Sequence, residues 1–499
     1  MTSTPSANVE ALEPKAVWQF FAGIAAVPRP SGKEEKIRAH LKALAERLKL
    51  ECKEDKIGNL LIVAPASPGC EKVPTTILQG HVDMVCEKNA GTQHDFENDP
   101  IRLQIGQDAA SGEQIVKAVG TTLGADNGVG VALALAAATA PDVKHGPLEI
   151  LCTVDEEAGM TGARHIQPGF VTGQRLINLD SEEDDVIYIG CAGGGDVSLI
   201  WDFATQPVPT DRKPCRITVK GLRGGHSGGD IHENRGNAIK TLVRAVFAAK
   251  VEAAPLVTFH GGSLRNALPR EAHAVFALTG GEVEALKKAA AEVKALVSHE
   301  SAEPELAILV EPDNGHANQP ALSSADTTRL LNTLAGLPHG VLEMHPKVAG
   351  LVQTSNNVAT VRSEAAGGKL HVIVGALSRS SVDTRLETTR AQIAAVGRLA
   401  GAKVELGNSY SGWEPDVDSP LLATCRDIYK TCFGETPKVT AIHAGLECGI
   451  LGRQIGKLDM VSFGPHITGA HSPDEQVYVA SVAKSYRYLV AVLGELTKG

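Results

Sequence analysis

Five short clusters of carboxylates and histidines stand at the ends of apolar runs of strand length, and this placement narrows the possible folds sharply. The clusters are Gly80-His81-Val82-Asp83, Gly124-Ala125-Asp126-Asn127-Gly128, Asp155-Glu156-Glu157, Asn178-Leu179-Asp180 and Ala470-His471-Ser472-Pro473-Asp474-Glu475. The spacing predicts strands over Thr75–Gln79, Leu148–Val154 and Arg175–Leu179, each running into one cluster. A helix over Val129–Ala140 follows another, and the helix Lys33–Leu50 and strand Asn59–Ala64 precede them all. Strand, cluster and helix in alternation predict an α/β domain with a mixed or mostly parallel sheet and helices on its faces. Sheets of this kind gather their chemistry at strand ends.

The chain has 499 residues, too many for one hydrophobic core, so more than one domain is expected. Near Cys191-Ala192-Gly193-Gly194-Gly195 the pattern changes, and this glycine cluster suits a hinge or turn. From 196 to 397 the clusters stop and a strand–helix–strand–helix order appears twice. The first pass is Cys215–Val219, Asn237–Lys250, Glu271–Leu278 and Glu282–Val297; the second is Leu306–Val310, Ala325–Leu334, Leu370–Val374 and Val382–Ala400. This predicts an inserted α+β domain of two similar halves. The α/β order resumes from 398 to 499, with strands at Ala402–Leu406, Lys438–Ile442 and Asp459–Phe463 and helices at Pro420–Cys432 and Val477–Leu496. Residues 1–195 and 398–499 together then form the catalytic domain.

The clusters contain imidazoles and carboxylates but no thiolate, a donor set suited to catalytic zinc, cobalt or manganese. His81 and Asp83 sit two apart on an extended segment, hence on one face, so one can bind a metal while the other orients it. Asp126 has two oxygens and can bridge two cations. Of Glu156 and Glu157, one can bind metal and the other accept a proton from water. Asp180 follows an apolar run, where an unpaired carboxylate is costly. His466 and His471 are both candidate ligands, and spacing does not choose between them. Ser472-Pro473-Asp474-Glu475 reads as a helix start that would hold the backbone of His471.

Together with Gly224-Gly225-His226-Ser227-Gly228, these clusters resemble the M20 metallopeptidases. Pro28-Arg29-Pro30-Ser31 with Glu34-Glu35, and His226 to His232 with Arg235-Gly236-Asn237-Ala238, are similar to the aminoacyl-histidine dipeptidase branch. The likeness runs from about residue 14 to the C-terminus. It implies two divalent metal ions, zinc by default with cobalt or manganese as options. His81 and Asp180 would hold one, Glu157 and His471 the other, with Asp126 bridging. It also implies Glu156 as general base, Asp83 as the carboxylate behind His81, and His226 as the lid histidine that stabilises the oxyanion. Asn266 and Arg379 are similar to lid residues that hold the substrate. The implied activity is hydrolysis of Xaa-His dipeptides such as β-alanyl-histidine by a homodimer. The alternatives are another M20-type amidohydrolase, either an N-acyl amino acid deacylase or a broader aminopeptidase or tripeptidase, and, more remotely, a metal-binding scaffold without catalysis.

Other classes fit less well. A formal net charge of −10 argues against nucleic acid and anionic membrane surfaces. No stretch reaches the roughly 18 to 20 apolar residues of a membrane span. The apolar Ala16–Val27 follows an acidic segment and is interrupted by Gln19, unlike a signal peptide. Nine scattered cysteines without a C-x-x-C pair suit a reducing compartment, so a cytoplasmic location is expected. Neither glycine-rich stretch has the strand–G-x-G-x-x-G–helix context of a dinucleotide site.

Overall fold

The computed structural model describes residues 9–317, 319–456 and 458–498. The chain divides into two compact units. The first comprises the chain up to Gly190, Trp413–Ala441 and the segment from Leu446 onward; the second comprises Cys191–Gly412 and Ile442–Gly445.

The first unit is built on an eight-stranded mixed sheet. Its strands run in the order Glu51–Glu54, Leu60–Ala64, Leu148–Thr153, Thr76–His81, Arg175–Asn178, Asp459–Ser462, Val186–Cys191 and Lys438–Ile442. Four neighbours in the middle, from Leu148–Thr153 to Asp459–Ser462, are mutually parallel. The strand Leu60–Ala64 pairs antiparallel on one flank and Val186–Cys191 on the other. Parallel strands sealed on both faces carry continuous apolar runs, and Leu148–Thr153 and Thr76–His81 are buried at every position. The helix Ala125–Thr139 packs on this sheet and touches Lys15–Ala25 and Val479–Glu495. Its residues from Asn127 to Ala138 are all buried, as expected of a helix that is apolar all round.

A second, four-stranded antiparallel sheet in this unit contains Ile467–Thr468 and Gln476–Tyr478, paired with each other. His471 therefore lies in a hairpin connection, and the last helix begins only at Val479. The expected helix start around Ser472-Pro473-Asp474-Glu475 is thus corrected. Short strands joined across a polar turn carry too few residues to show a period of two.

The second unit is a ten-stranded antiparallel sheet with four long helices, and its order reveals a nested repeat. One half runs strand Lys213–Lys220, helix Ala238–Ala248, strands Leu256–Gly261 and Ala272–Leu278, helix Gly280–Ser301, strand Ala307–Pro312. Its strands stand in the order fourth, first, third, second. The other half runs strand Gly193–Gln206, helix Ser324–Gly336, strands Val352–Ala366 and Lys369–Ser380, helix Asp383–Leu399, strand Lys403–Tyr410. Its order is again fourth, first, third, second, and the two halves join second strand to second strand through Gly261 and Val361.

The first half is thus inserted between the first strand and first helix of the other, rather than preceding it in tandem. Two boundary expectations change accordingly. The strand at Leu306–Val310 closes the first half instead of opening the second, pairing with Lys213–Lys220. The strand at Ala402–Leu406 pairs with Gly193–Gln206 and belongs to the inserted unit, so the chain returns near 413 rather than 398. Strand partners depend on long-range pairing that local pattern does not encode.

Gly193-Gly194-Gly195 opens the strand Gly193–Gln206 rather than forming a turn. A Cβ at Gly194 would come within 2.8 Å of the Tyr410 ring, and one at Gly195 within 2.7 Å of Arg390. The glycines are there for close approach. The long strand Val352–Ala366 carries no apolar alternation because Ser355, Asn356 and Asn357 are buried in it. The amide nitrogens of the two asparagines are paired: Asn357 Nδ2 donates to the carbonyls of Arg265 (3.1 Å) and Ala267 (2.8 Å), and Asn356 Nδ2 to Pro338 (2.7 Å).

Candidate active site

Because Leu148–Thr153, Thr76–His81 and Arg175–Asn178 are adjacent and parallel, their C-terminal ends lie on one edge of the sheet. His81 ends one strand, Glu156 and Glu157 follow the second, and Asp180 follows the third. Asp126 stands at the start of Ala125–Thr139 and His471 in the hairpin. The first unit brings all six together.

His81 Nε2 lies 2.9 Å from Asp126 Oδ1 and 3.4 Å from Asp180 Oδ1. The other oxygen of Asp126 lies 3.2 Å from His471 Nε2, which is also 3.0 Å from Glu157 Oε2. Asp126 is therefore the one carboxylate shared by the sets His81–Asp126–Asp180 and Asp126–Glu157–His471. His81, Glu156 and Glu157 form a third set with donor atoms equally close. His466 does not join them; its Nδ1 lies 3.1 Å from the carbonyl of Glu182.

The backbone around these groups is held by buried charge. Glu475 accepts the amides of Leu123, Gly124, Ala125 and Asp126 at 2.7 to 3.2 Å, fixing the turn that presents Asp126. Arg29 is almost wholly buried and donates to the carbonyls of Val82, Asp83 and Gly124. Asp83 lies 3.4 Å from His81 Nδ1 and also accepts from Ser31 Oγ (2.7 Å) and the amides of Glu156 (3.0 Å) and Glu157 (3.2 Å). It thus ties the His81 strand to the short helix Glu156–Gly159 that opens with both glutamates. Asp155 and His471 take φ of 53° and 62°, a region costly for residues with a Cβ and common at functional sites.

The electrostatics show a cluster short of positive charge. Burial raises Asp180 to about 7 and Glu156 well above the ordinary carboxyl range. Burial also pushes Asp126 up, but hydrogen bonds and charges from His471 and His81 reverse this and hold it well below that range. Hydrogen bonds to Asp126 and Glu157 in turn raise His471 to about 11. Oε1 of Glu157 and Oδ1 of Asp180 are buried without a hydrogen-bond partner. Orphaned carboxylate oxygens beside imidazole nitrogens fit divalent cations.

Sequence reasoning missed a polar network beside these side chains. Gln79 Nε2 donates to Glu447 Oε2 (2.7 Å), and Asn178 Nδ2 donates to Gln79 Oε1. Asn178 Oδ1 accepts the amide of Asp180 (3.3 Å) and the hydroxyl of Ser462. Glu447 is fully buried, and burial raises its carboxyl to about 8. Its one sequence signal is an acid inside the otherwise uncharged stretch Ala444 to Leu451. Replacing Gln79 by Leu leaves Asn178 Nδ2 without its acceptor and Glu447 with only the Thr153 hydroxyl as donor, so the melting transition should show a loss of about 1–3 kcal/mol.

The second unit holds the remaining expected residues. His226 Nδ1 faces the amides of Gly228 (3.3 Å) and Gly229 (3.0 Å), which places the proton of the neutral ring on Nε2. Burial, and then the charge of Arg379, lower its pKa to about 4. Arg379 Nη2 lies 3.2 Å from that Nε2, while its Nε and Nη1 reach Ser227 Oγ (3.3 Å) and Tyr410 Oη (3.0 Å). Two donors facing each other are well placed to share one acceptor. Asn266 has an exposed position in the adjoining loop, its carbonyl accepting the amide of Ser227 (2.7 Å). Gly228 is obligatory there, since a Cβ would lie 2.1 Å from the carbonyl oxygen of His443.

His443 itself is buried, with Nε2 2.7 Å from Ser355 Oγ. Burial, reinforced by Arg379, lowers it from 6.5 to about 3. The unfolded chain then takes up a proton below about pH 6.5 that the fold refuses, so stability is full above that pH and falls towards pH 3. In His443→Gln the melting temperature should fall less than in the wild type between about pH 6.5 and pH 5.

The sequence matches the profile of peptidase family M20/M25/M40 over residues 77–495. It is 40% identical over 486 residues to the cytosol non-specific dipeptidase of Escherichia coli (strain K12), covering 97% of this chain and 98% of that protein. The fold is similar to the crystal structure of aminoacylhistidine dipeptidase from Vibrio alginolyticus, with a TM-score of 0.88, 39% identity and 98% of both chains covered. A tripeptidase from Staphylococcus aureus shares the fold at 14% identity, with a TM-score of 0.61 and coverage of 98% and 100%. The chain belongs to peptidase family M20/M25/M40.

Proposed function

We propose that this peptidase is a cytosolic dipeptidase that hydrolyses Xaa-His dipeptides, β-alanyl-histidine among them, with two divalent cations, zinc by default. The observation that carries this reading is Asp126 shared between two three-residue donor sets, with Glu156 beside them. The substrate class is supported by the likeness to the Vibrio aminoacylhistidine dipeptidase. His81, Asp126 and Asp180 would hold one cation and Asp126, Glu157 and His471 the other. Bound there, the cations supply Lewis-acid polarisation of the scissile carbonyl and lower the pKa of water.

The chain's own groups do the rest. Glu156, kept basic enough by its burial to capture a proton, takes it from the attacking water and passes it to the leaving amine. Asp83 keeps Glu156 in place through its backbone amide. His226, neutral with its proton on Nε2, donates to the oxyanion that develops on the carbonyl, a term of about 3–4 kcal/mol for one donor. Arg379 binds the C-terminal carboxylate of the dipeptide, and Asn266 adds a further polar contact to the substrate. The assembly we propose is a homodimer, which light scattering of the purified protein tests directly.

A second reading has its own support: the Escherichia coli relative carries the name of a non-specific dipeptidase. A panel of β-alanyl-histidine, other Xaa-His dipeptides, histidine-free dipeptides and N-acetyl amino acids, assayed before and after chelation, separates the possibilities. Highest kcat/KM on the Xaa-His members is the expected result. Equal rates on histidine-free dipeptides would favour the broader specificity, and turnover of N-acetyl amino acids alone would overturn both.

A further inference from the structure

A cleft of about 420 Å³ in the second unit, lined by His260, His273, Arg362, Arg270, Glu271 and Ser263, has no part in the proposed chemistry. Its floor is formed by neighbouring strands. His260 and His273 are direct cross-strand partners on Leu256–Gly261 and Ala272–Leu278, with ring centroids 5.3 Å apart. Arg362 enters from Val352–Ala366, next to the Gly261–Val361 pair. Arg362 Nη1 donates to the carbonyls of Gly261 (3.0 Å) and Val361 (3.2 Å), contacts that hold the guanidinium without neutralising it. Arg270 is anchored in the same way, through Nε, to the carbonyl of Leu222 (3.1 Å).

The nearby carboxylates do little to balance this. Asp313 is already bound to Arg216 (2.7 Å) and His316 (2.8 Å), and Glu271 is the one acid in the lining. Burial lowers both cleft histidines, and each is lowered further by the charges of Arg362 and Arg216. A pair of imidazoles on its own suits a transition metal, but two flanking guanidiniums oppose a cation and favour an anion. The far wall is backbone: Gly225, Ala267 and Leu268 line it, and the Leu268 amide donates to the Gly225 carbonyl (2.8 Å). These residues flank His226 and Asn266 in sequence, so the cleft is lined in part by the segments that carry them.

We propose that this cleft binds a small oxyanion, the phosphate or carboxylate group of a metabolite, between the guanidiniums of Arg362 and Arg270 and the imidazoles of His260 and His273. Arginine suits the role because its fork matches both oxyanions in two-pronged geometry. The cleft is large enough for such a group and some of the molecule attached to it.

Isothermal titration of the full-length, metal-loaded protein with inorganic phosphate and, separately, with succinate tests the proposal. The expected result is a saturable phase whose Kd rises tenfold or more both in Arg362→Gln and in the double variant His260→Gln/His273→Gln. Arg362→Lys, which keeps the charge, should retain most of the affinity, and a melting curve checks the fold of each variant. Binding of phosphate alone identifies a phosphate-bearing ligand, and binding of succinate alone a carboxylate; either supports the oxyanion site. A phase of the same strength in wild type and both variants, no saturable phase with either titrant, or binding of Ni2+ in place of the anions overturns it.

Discussion

Glu156→Gln is expected to lower kcat by about 10²- to 10⁴-fold, the usual contribution of a positioned acid–base group. The substitution preserves shape and removes the basic oxygen. Glu156 sits in a site whose burial, with the neighbouring charges of Asp180, Glu447 and Glu157, raises its proton affinity. Its backbone, however, is held independently by Asp83 Oδ1 at 3.0 Å, so the short helix should stay in place. Metal content measured by atomic emission should therefore match the wild type while turnover collapses. Survival of kcat within a few-fold at full metal content would sink the assignment of Glu156 as the base. A parallel loss of metal and activity would instead make Glu156 a ligand, as its membership of the third donor set with His81 and Glu157 allows.

Asp126→Ala should have the other large effect, and of a different kind. Asp126 alone belongs to both outer donor sets, with one oxygen 2.9 Å from His81 and the other 3.2 Å from His471. Its removal should weaken both cations together and take activity below detection. Asp180→Ala and His471→Ala each touch only one of those sets and should lower the bound metal by one ion per chain. Equilibrium dialysis of the three variants reads this directly, and equal stoichiometry in all three would refute the bridging role. Chelation of the wild type should also lower its melting temperature, because a ligand bound only to the fold stabilises by RT ln(1 + [L]/Kd). Without cations, buried carboxylates such as Asp180 and Glu156 face one another with too few positive partners.

Much of the site was legible because polar residues at the ends of apolar strands are costly unless they have work to do. His81, Asp126, Glu156, Glu157 and Asp180 each interrupt or end such a run, and the structure gathers all of them with His471. Glu447 and Gln79 were not legible. Gln79 looks like an ordinary strand residue, and its meaning lies in a partner 368 positions away. Arg29 and Glu475 appear in the motifs, yet nothing in those motifs says that one braces three carbonyls and the other gathers four backbone amides.

The contrast between the two units has a physical basis. Local pattern alone determined the alternating domain, the inserted unit and the candidate donor residues, because burial on a strand or helix imposes a period on nearby residues. Tertiary structure alone decided which strands pair. It nested one half of the inserted unit inside the other, sent Lys403–Tyr410 to that unit's sheet and placed His471 in a hairpin. Strand pairing rests on hydrogen bonds between backbones that are the same for every sequence, so the choice of partner is made by the packing of the whole sheet.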